Sequence, residues 1–375
     1  MLQKQKERDS LISHHIFKES EIFKTLSKFP LGFLDIGARG GVHDVIEPIA
    51  SLTSVFGFEP DQSECKRINQ SHCLESPYAN FKLFDIALFD ENCDVTLNLM
   101  NCDTNHSLLK PNSDFVDRYN MHSKWSVIGQ HTLKASRLDD VWLEYQRKEI
   151  KPSAADFIKI DTQGTEFEIL AGAKELLKND TIAIICEVSF CEIYHKQKLF
   201  SDVEKLLRGF GFTFYGFSNG PHSRSKKLLD KQKSKFNERM IYADAVFFKD
   251  PLKGAFFEHC GNKELSTEQL HKLFVVACLL EYYDFALELA QETWLKFAGN
   301  AQAHALKQFI SDISNFPVSH SIAAVSALNQ KLHENPDNAN VLVGGFVDER
   351  RKNCNYDDVL NVSPLPNAGA KLKST

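Results

Sequence analysis

Residues 31–41 read Leu31-Gly32-Phe33-Leu34-Asp35-Ile36-Gly37-Ala38-Arg39-Gly40-Gly41. A short apolar run after Pro30 ends near an acid, and three glycines follow within five residues. The run predicts a buried strand, and the glycines let a ligand lie close against the backbone. A helical pattern follows through Val45, Ile46, Ile49 and Leu52. Strand, glycine turn and helix together form a nucleotide-binding arrangement. The spacing is not G-x-G-x-x-G, and Asp35 stands on the strand just before the glycines. That carboxylate repels a pyrophosphate and attracts an ammonium group. S-adenosylmethionine carries both an ammonium and a sulfonium.

Outward from this loop, strands and helices alternate. Ser54-Val55-Phe56-Gly57-Phe58-Glu59 predicts a second strand, closed by Pro60-Asp61, and a helix covers about 61–71. A third strand at 81–84 ends at Asp85, and Val95-Thr96-Leu97-Asn98-Leu99 alternates like a hairpin strand. Residues 101–135 read as irregular and polar. A helix at 138–147 leads to a fourth strand, 157–160, ending at Asp161, with Gln163-Gly164 as the turn. The next helix carries Phe167, Leu170, Ala171, Ala173 and Leu176 on one face. A fifth strand, 182–186, ends at Glu187, and a helix at 200–209 and strands at 212–215 and 243–248 complete the series. The pattern predicts an α/β fold: a mostly parallel, Rossmann-like sheet with helices on both faces.

The expected organisation is an N-terminal helical segment (1–30), the sheet domain (31–250), a helical C-terminal region (251–344) and a flexible tail (345–375). The C-terminal helices at 270–294 resemble one unit of a helical-repeat array, where a stable array needs about three. Their apolar stripe reads first as core packing; capping, dimerisation or docking on a glycan-assembly partner are the alternatives. The chain has 375 residues, and its net charge of -6 gives no global attraction to nucleic acid. No secretory h-region or membrane-length apolar run is present, and the nine cysteines form no C-x-x-C pair. These features predict a cytoplasmic protein with reduced thiols.

Five strands each end near an acid: Asp35, Glu59, Asp85, Asp161 and Glu187. In open α/β sheets the ligand sits at the carboxyl ends of the strands, so these acids are expected on one rim. Glu59 stands where an acid commonly binds ribose hydroxyls, and Asp85 where one accepts from the adenine amine. Residues 35–41, 57–61 and 158–166 resemble the FkbM family of methyltransferases. So do 136–141, 170–173, 187–190 with Ile193-Tyr194, and 242–248. The resemblance covers about residues 30–250 in the family's order. It implies a class I methyltransferase fold, S-adenosylmethionine as donor, and an alcohol acceptor, often a sugar in a glycan or a secondary metabolite. It also implies donor contacts at Asp35, Gly37, Ala38, Gly40, Glu59, Pro60, Asp85 and Ile86. Many members carry Asn where Arg39 stands here.

Methyl transfer is an in-line displacement, and a hydroxyl acceptor must lose its proton. Asp161, Glu187, His106 and His195 are the candidates to receive it. Either histidine also reads as an ordinary loop residue. Gln163 and Tyr194 are expected on the acceptor. Asp161 and Glu187 could also hold a divalent ion, but two acids under-specify a metal site, and a metal is not favoured. The basic stretch 223–239 reads as a solvated loop, or as a flap for an anionic acceptor. Two other readings stand beside the O-methyltransferase. One is an NAD-dependent sugar oxidoreductase, opposed by the missing glycine fingerprint. The other is a non-catalytic scaffold whose helical tail binds a partner.

Overall fold

The computed structural model describes residues 10–72, 76–150, 153–218, 222–223, 238–252, 254, 264–314, 318–340, 342–344 and 346. The strands are β1 Leu31–Ile36, β2 Thr53–Phe58, β3 Asn80–Phe84, β4 Ala87–Leu88, β5 Cys93–Met100, β6 Val127–Ser136, β7 Phe157–Ile160, β8 Ala183–Ser189, β9 Thr213–Phe217, β10 His222–Ser223 and β11 Met240–Phe248. Among the described residues, eight strands form the main sheet in the order β10-β11-β8-β7-β1-β2-β3, with β9 also on β11. β3, β2, β1, β7 and β8 run parallel, and β11 closes the sheet antiparallel to β8. The chain leaves β1 toward β3 on one side and returns to β7 on the other. The switch point therefore lies between the carboxyl ends of β1 and β7.

Strand alternation sends side chains to two cores. Leu31, Phe33, Val55, Phe157, Ile185 and Phe248 face one, and Leu34, Ile36, Phe56, Phe58, Ile158 and Phe247 face the other. Both faces must be covered, as in any parallel sheet. The second core is closed by helices Leu138–Lys148, Glu166–Ala171, Lys174–Asn179 and Phe200–Gly209. The first is closed by helices from both ends of the sequence. Phe17 and Phe309 stack at 5.6 Å, and Phe285 stacks on Phe248 of β11 at 5.3 Å.

Helix Thr267–Leu279 starts in a capping box, Ser266 Oγ accepting from the Gln269 N–H and Gln269 Oε1 from the Ser266 N–H. Its Lys272 is 1% exposed and pairs with Asp156 Oδ2 at 2.8 Å and Glu268 Oε1 at 2.7 Å. The same Asp156 oxygen accepts the Gly32 N–H at 2.8 Å. Burial pulls the Lys272 ammonium down, but the two carboxylates outweigh it and hold it above the usual lysine range. No helix among the described residues is long and apolar enough to cross a membrane.

The structure corrects the sequence reading in four places. The stretch 101–135 is not irregular: it holds helices Ser113–Tyr119 and His122–Trp125 and most of β6. β6 pairs antiparallel with β5 but is largely exposed, so it lacks an apolar alternation to betray it. The pattern at 45–52 is a 3-10 helix, with Pro48 inside it and Ile49 off helical geometry. The single helix expected over 167–176 is two, parted at Gly172-Ala173, and Asp139 accepts the Glu175 and Leu176 N–H groups of the second. Glu187 lies within β8, which continues to Ser189. A second compact unit contains the helix Val318–Glu334. Residues 224–237 of the basic stretch and all of the expected tail except Phe346 lie outside the described residues.

Lys272→Met leaves the Asp156 carboxylate buried without its cation. Urea unfolding is expected to lose on the order of 3–5 kcal/mol, with Lys272→Met/Asp156→Leu recovering part of it. A single variant as stable as the wild type contradicts this.

Candidate functional site

A cavity of about 210 Å3 opens at the switch point, lined by the 36–39 loop, the ends of β2 and β7, residues 86–88, and the segment 103–108. Its floor is set by backbone contact. Gly37 has φ +82°, and a Cβ there would stand 1.9 Å from the Asp161 carbonyl oxygen. Ladder bonds clamp the loop: the Gly37 and Ala38 N–H groups donate to Phe58 O, and Asp161 N–H to Ile36 O.

Asp35 and Lys159 are register partners on β1 and β7 and share a face. Their side chains pair at 3.4 Å, and Lys159 Nζ also lies 3.4 Å from Gly37 O. Asp35 Oδ2 accepts the His43 N–H at 2.8 Å, and its buried Oδ1 is the oxygen that faces Lys159. Burial lowers the Lys159 ammonium's pKa, but Asp35, Asp161 and Glu187 outweigh that and raise it overall.

Glu59, 4% exposed, follows β2 and lines the cavity. Its Oε1 accepts the Asp61 N–H at 2.9 Å, and Arg39, paired to Asp61 at 2.8 Å, stands 3.7 Å from it. Burial pushes the Glu59 carboxyl up despite that hydrogen bond and Arg39. Phe58, Pro60, Ile86, Ala87 and Leu88 give this end an apolar lining.

At the other end, one carboxylate oxygen from each of Asp161, Glu166 and Glu187 lies within 4.8 Å of the others. Glu166 Oε1 accepts from the Thr162 N–H, the Thr162 hydroxyl and the Gly164 N–H, and its Oε2 also accepts from the Gly164 N–H. Burial, reinforced by Asp161, pushes the Glu166 carboxyl up to about 7. Burial and then the Asp161 and Glu166 charges push Glu187 well up. Gln163 ties the group together, its Nε2 donating to Asp161 Oδ1 at 2.8 Å and to Glu187 Oε1 at 3.3 Å.

Of the residues singled out from the sequence, Gly37, Glu59, Pro60, Ile86, His106, Asp161 and Gln163 line the cavity. Asp35 and Ala38 are buried behind the loop. Gly40 is exposed, its N–H already given to Glu64 Oε1. Asp85 is exposed outside the lining, and its neighbour Ile86 takes the wall position. Glu187 stands behind Gln163. His195 is exposed and away from the lining, with its backbone N–H on Lys110 O. Tyr194, expected on the acceptor, is 1% exposed, with its hydroxyl spent inside the protein. His106 Nδ1 accepts the Met100 N–H at 3.1 Å, and burial and then Arg39 lower its pKa. The neutral ring therefore carries its proton on Nε2, which makes it a donor rather than a base. Sequence reasoning missed Lys159, Ser107 and Glu166. A lysine inside the apolar strand Phe157-Ile158-Lys159-Ile160 was the available signal, since a buried cation needs an acid beside it.

The parallel strands with an antiparallel closing strand, and an acid-glycine loop at the switch point, define a class I methyltransferase fold. Residues 35–214 match the family described as "Methyltransferase FkbM domain". Just under half of the chain is thus similar to the FkbM methyltransferase domain. It is 28% identical over 197 residues to the 2-O-methyltransferase NoeI of Sinorhizobium fredii (strain NBRC 101917 / NGR234), covering 51% of this chain and 76% of that protein. Among solved structures it resembles a methyltransferase FkbM from Methylobacillus flagellatus KT (TM-score 0.33, 11% identity). The match covers 64% of this chain and 47% of that one, so the chain spans about half its length. It also resembles a precorrin-6y C5,15-methyltransferase from Geobacter metallireducens GS-15 (TM-score 0.30, 13% identity, 64% and 92% covered).

Glu166 binds its proton more tightly folded, at about 7, than at the ordinary 4.5. Its contribution to stability is therefore complete below 4.5 and lost as pH rises through about 7. Urea-unfolding stability is expected to fall over this window by about 3 kcal/mol, and Glu166→Gln to flatten the slope. An identical slope in the variant rejects the assignment.

Proposed function

We propose that the chain transfers the methyl group of S-adenosylmethionine to a hydroxyl oxygen of a carbohydrate or related small metabolite, with Asp161 receiving the hydroxyl proton. The observation that carries this reading is Asp161's position. It ends β7 on the cavity wall, in carbonyl contact with the Gly37 loop, and one of its carboxylate oxygens is held by Gln163.

The residues fit the donor. Gly37 lines the cavity and, lacking a Cβ, lets the loop close on the Asp161 carbonyl. Asp35 sets a buried carboxylate beneath that loop, its Oδ1 already paired with Lys159 at 3.4 Å. Glu59 offers a carboxylate to the ribose diol, and Phe58, Pro60, Ile86 and Leu88 offer an apolar slot to a base. When bound, the donor supplies a methyl carbon made electrophilic by the adjacent sulfonium. The rest falls to the chain's own groups. Asp161 holds and takes the acceptor proton, and His106 Nε2 donates to an acceptor oxygen. The 103–108 segment walls off water, since a dry, aligned site favours displacement.

The acceptor class is supported by the relative named a 2-O-methyltransferase and by the polar wall of Asp103, Thr104, His106 and Ser107. We infer metal-free chemistry: the Glu166 oxygens and one oxygen each of Asp161 and Glu187 already accept hydrogen bonds. The free thiols of Cys65, Cys93, Cys102, Cys186, Cys191 and Cys278 suit a reducing cytoplasm.

Calorimetry with S-adenosylhomocysteine is expected to give micromolar binding, with none to NAD, and Glu59→Ala to weaken it at least tenfold. Asp161→Asn is expected to keep donor affinity and lose on the order of 10²- to 10⁴-fold in turnover with hydroxylated saccharide acceptors. EDTA is expected to leave the rate unchanged. No binding to well-folded protein sinks the donor assignment, and a fully active Asp161→Asn removes that residue from the chemistry.

A further inference from the structure

The Tyr194 side chain is 1% exposed and outside the cavity lining, yet its hydroxyl sits where three polar groups meet. Trp125 Nε1 donates to it at 3.1 Å. Gln163 Oε1 lies 3.1 Å away and the Asn105 carbonyl oxygen 3.2 Å away. An indole N–H has no lone pair to offer, so the phenol oxygen accepts there and has one proton to place.

The other end of the same glutamine decides which of its amide atoms faces the phenol. Gln163 Nε2 faces two carboxylates, Asp161 at 2.8 Å and Glu187 at 3.3 Å. A flipped amide would set its carbonyl oxygen 2.8 Å from a carboxylate oxygen of Asp161. Oε1 therefore points to the phenol, and at 3.1 Å it is the nearer of the two acceptors, with the Asn105 carbonyl at 3.2 Å, that the one hydroxyl proton can serve. The backbone supports the same geometry: Gln163 sits at φ +59°, and Ser107 Oγ donates to its carbonyl at 2.6 Å.

We propose that Tyr194, seated by Trp125, is a positioning residue that locks the Gln163 amide, so that Nε2 holds one Asp161 oxygen and leaves the other for the acceptor. The functional consequence rests on Asp161 as proton acceptor; the lock itself does not. Trp125 ends the helix His122–Trp125, and Asn105 belongs to the polar wall segment. The phenol thus joins the folding of the acceptor wall to the orientation of the acid. Buried networks of this kind specify one arrangement when every member is satisfied.

The Gln163 side-chain amide in 15N-labelled full-length protein, assigned with Gln163→Leu, reports the lock directly. The wild type is expected to show two widely split, downfield amide protons. Tyr194→Phe keeps the ring and removes the proton. It is expected to collapse that splitting toward the value of free glutamine while leaving S-adenosylhomocysteine affinity unchanged. Replacing tyrosine by 3-fluorotyrosine strengthens the donor, and is expected to move the pair further downfield. That measurement decides the matter if Tyr194→Phe does not fold. Resonances that stay put in folded Tyr194→Phe, or under 3-fluorotyrosine, overturn the proposal. Full methyl transfer by Asp161→Asn sinks Asp161's role and leaves the lock standing, so the two failures are distinct. With an acceptor in hand, Tyr194→Phe is expected to lower kcat on the order of tenfold at unchanged donor affinity.

Discussion

The contact between Gly37 and the Asp161 carbonyl sets the geometry of the site. It closes the carboxyl ends of β1 and β7, where the chain's direction through the sheet reverses. A Cβ at Gly37 would lie 1.9 Å from that oxygen, so no other residue fits without moving a strand. The ladder bonds from Gly37, Ala38 and Asp161 keep the two strand ends in step. The proposed donor loop and the proposed proton acceptor are thus parts of one rigid junction, which suits a reaction that depends on alignment.

The second constraint is electrostatic. Asp35, Asp161, Glu166 and Glu187 gather at the sheet's carboxyl edge, where desolvation makes each charge costly. Lys159 is the neighbouring cation that acts on this group, and the Asp35, Asp161 and Glu187 charges hold its pKa up. Backbone N–H groups and the Gln163 amide absorb part of the remainder, and protonation absorbs more, with Glu166 near 7 and Glu187 pushed up. An edge rich in carboxylates is a poor place for a phosphate and a good one for a cation. The same charges that strain the apo site favour the sulfonium donor.

The helices from the two ends of the sequence complete the sheet. β1, β7, β8 and β11 carry apolar residues on both faces, and the first face stays wet unless helices such as Thr267–Leu279 and Tyr283–Glu292 cover it. The buried Lys272–Asp156 pair joins that cover to the residue that also accepts the Gly32 N–H of β1. Cover, strand and loop are continuous through hydrogen bonds as well as apolar contact.

Local pattern was enough for the strands of the parallel sheet and the acid-glycine loop, because strands buried on both faces are apolar runs ended by turn residues. It was also enough to bring Gly37, Glu59, Asp161 and Gln163 to one rim, since parallel strands all end on the same edge. It could not find β6, whose exposed faces carry no apolar period, or the break at Gly172. The roles of Lys159, Tyr194 and His106 depended on partners that spacing does not select. Lys159 meets Asp35 through strand register, Tyr194 meets Trp125 and Gln163 through loop packing, and His106 became a donor because Met100 occupies its Nδ1. Apolar runs and their closing acids dictate the sheet, its carboxyl edge and the charge gathered there. Which of those groups face the cavity, which hold their neighbours in place and which are spent inside the protein follows from packing, because hydrogen-bond partners are chosen by packing and not by spacing.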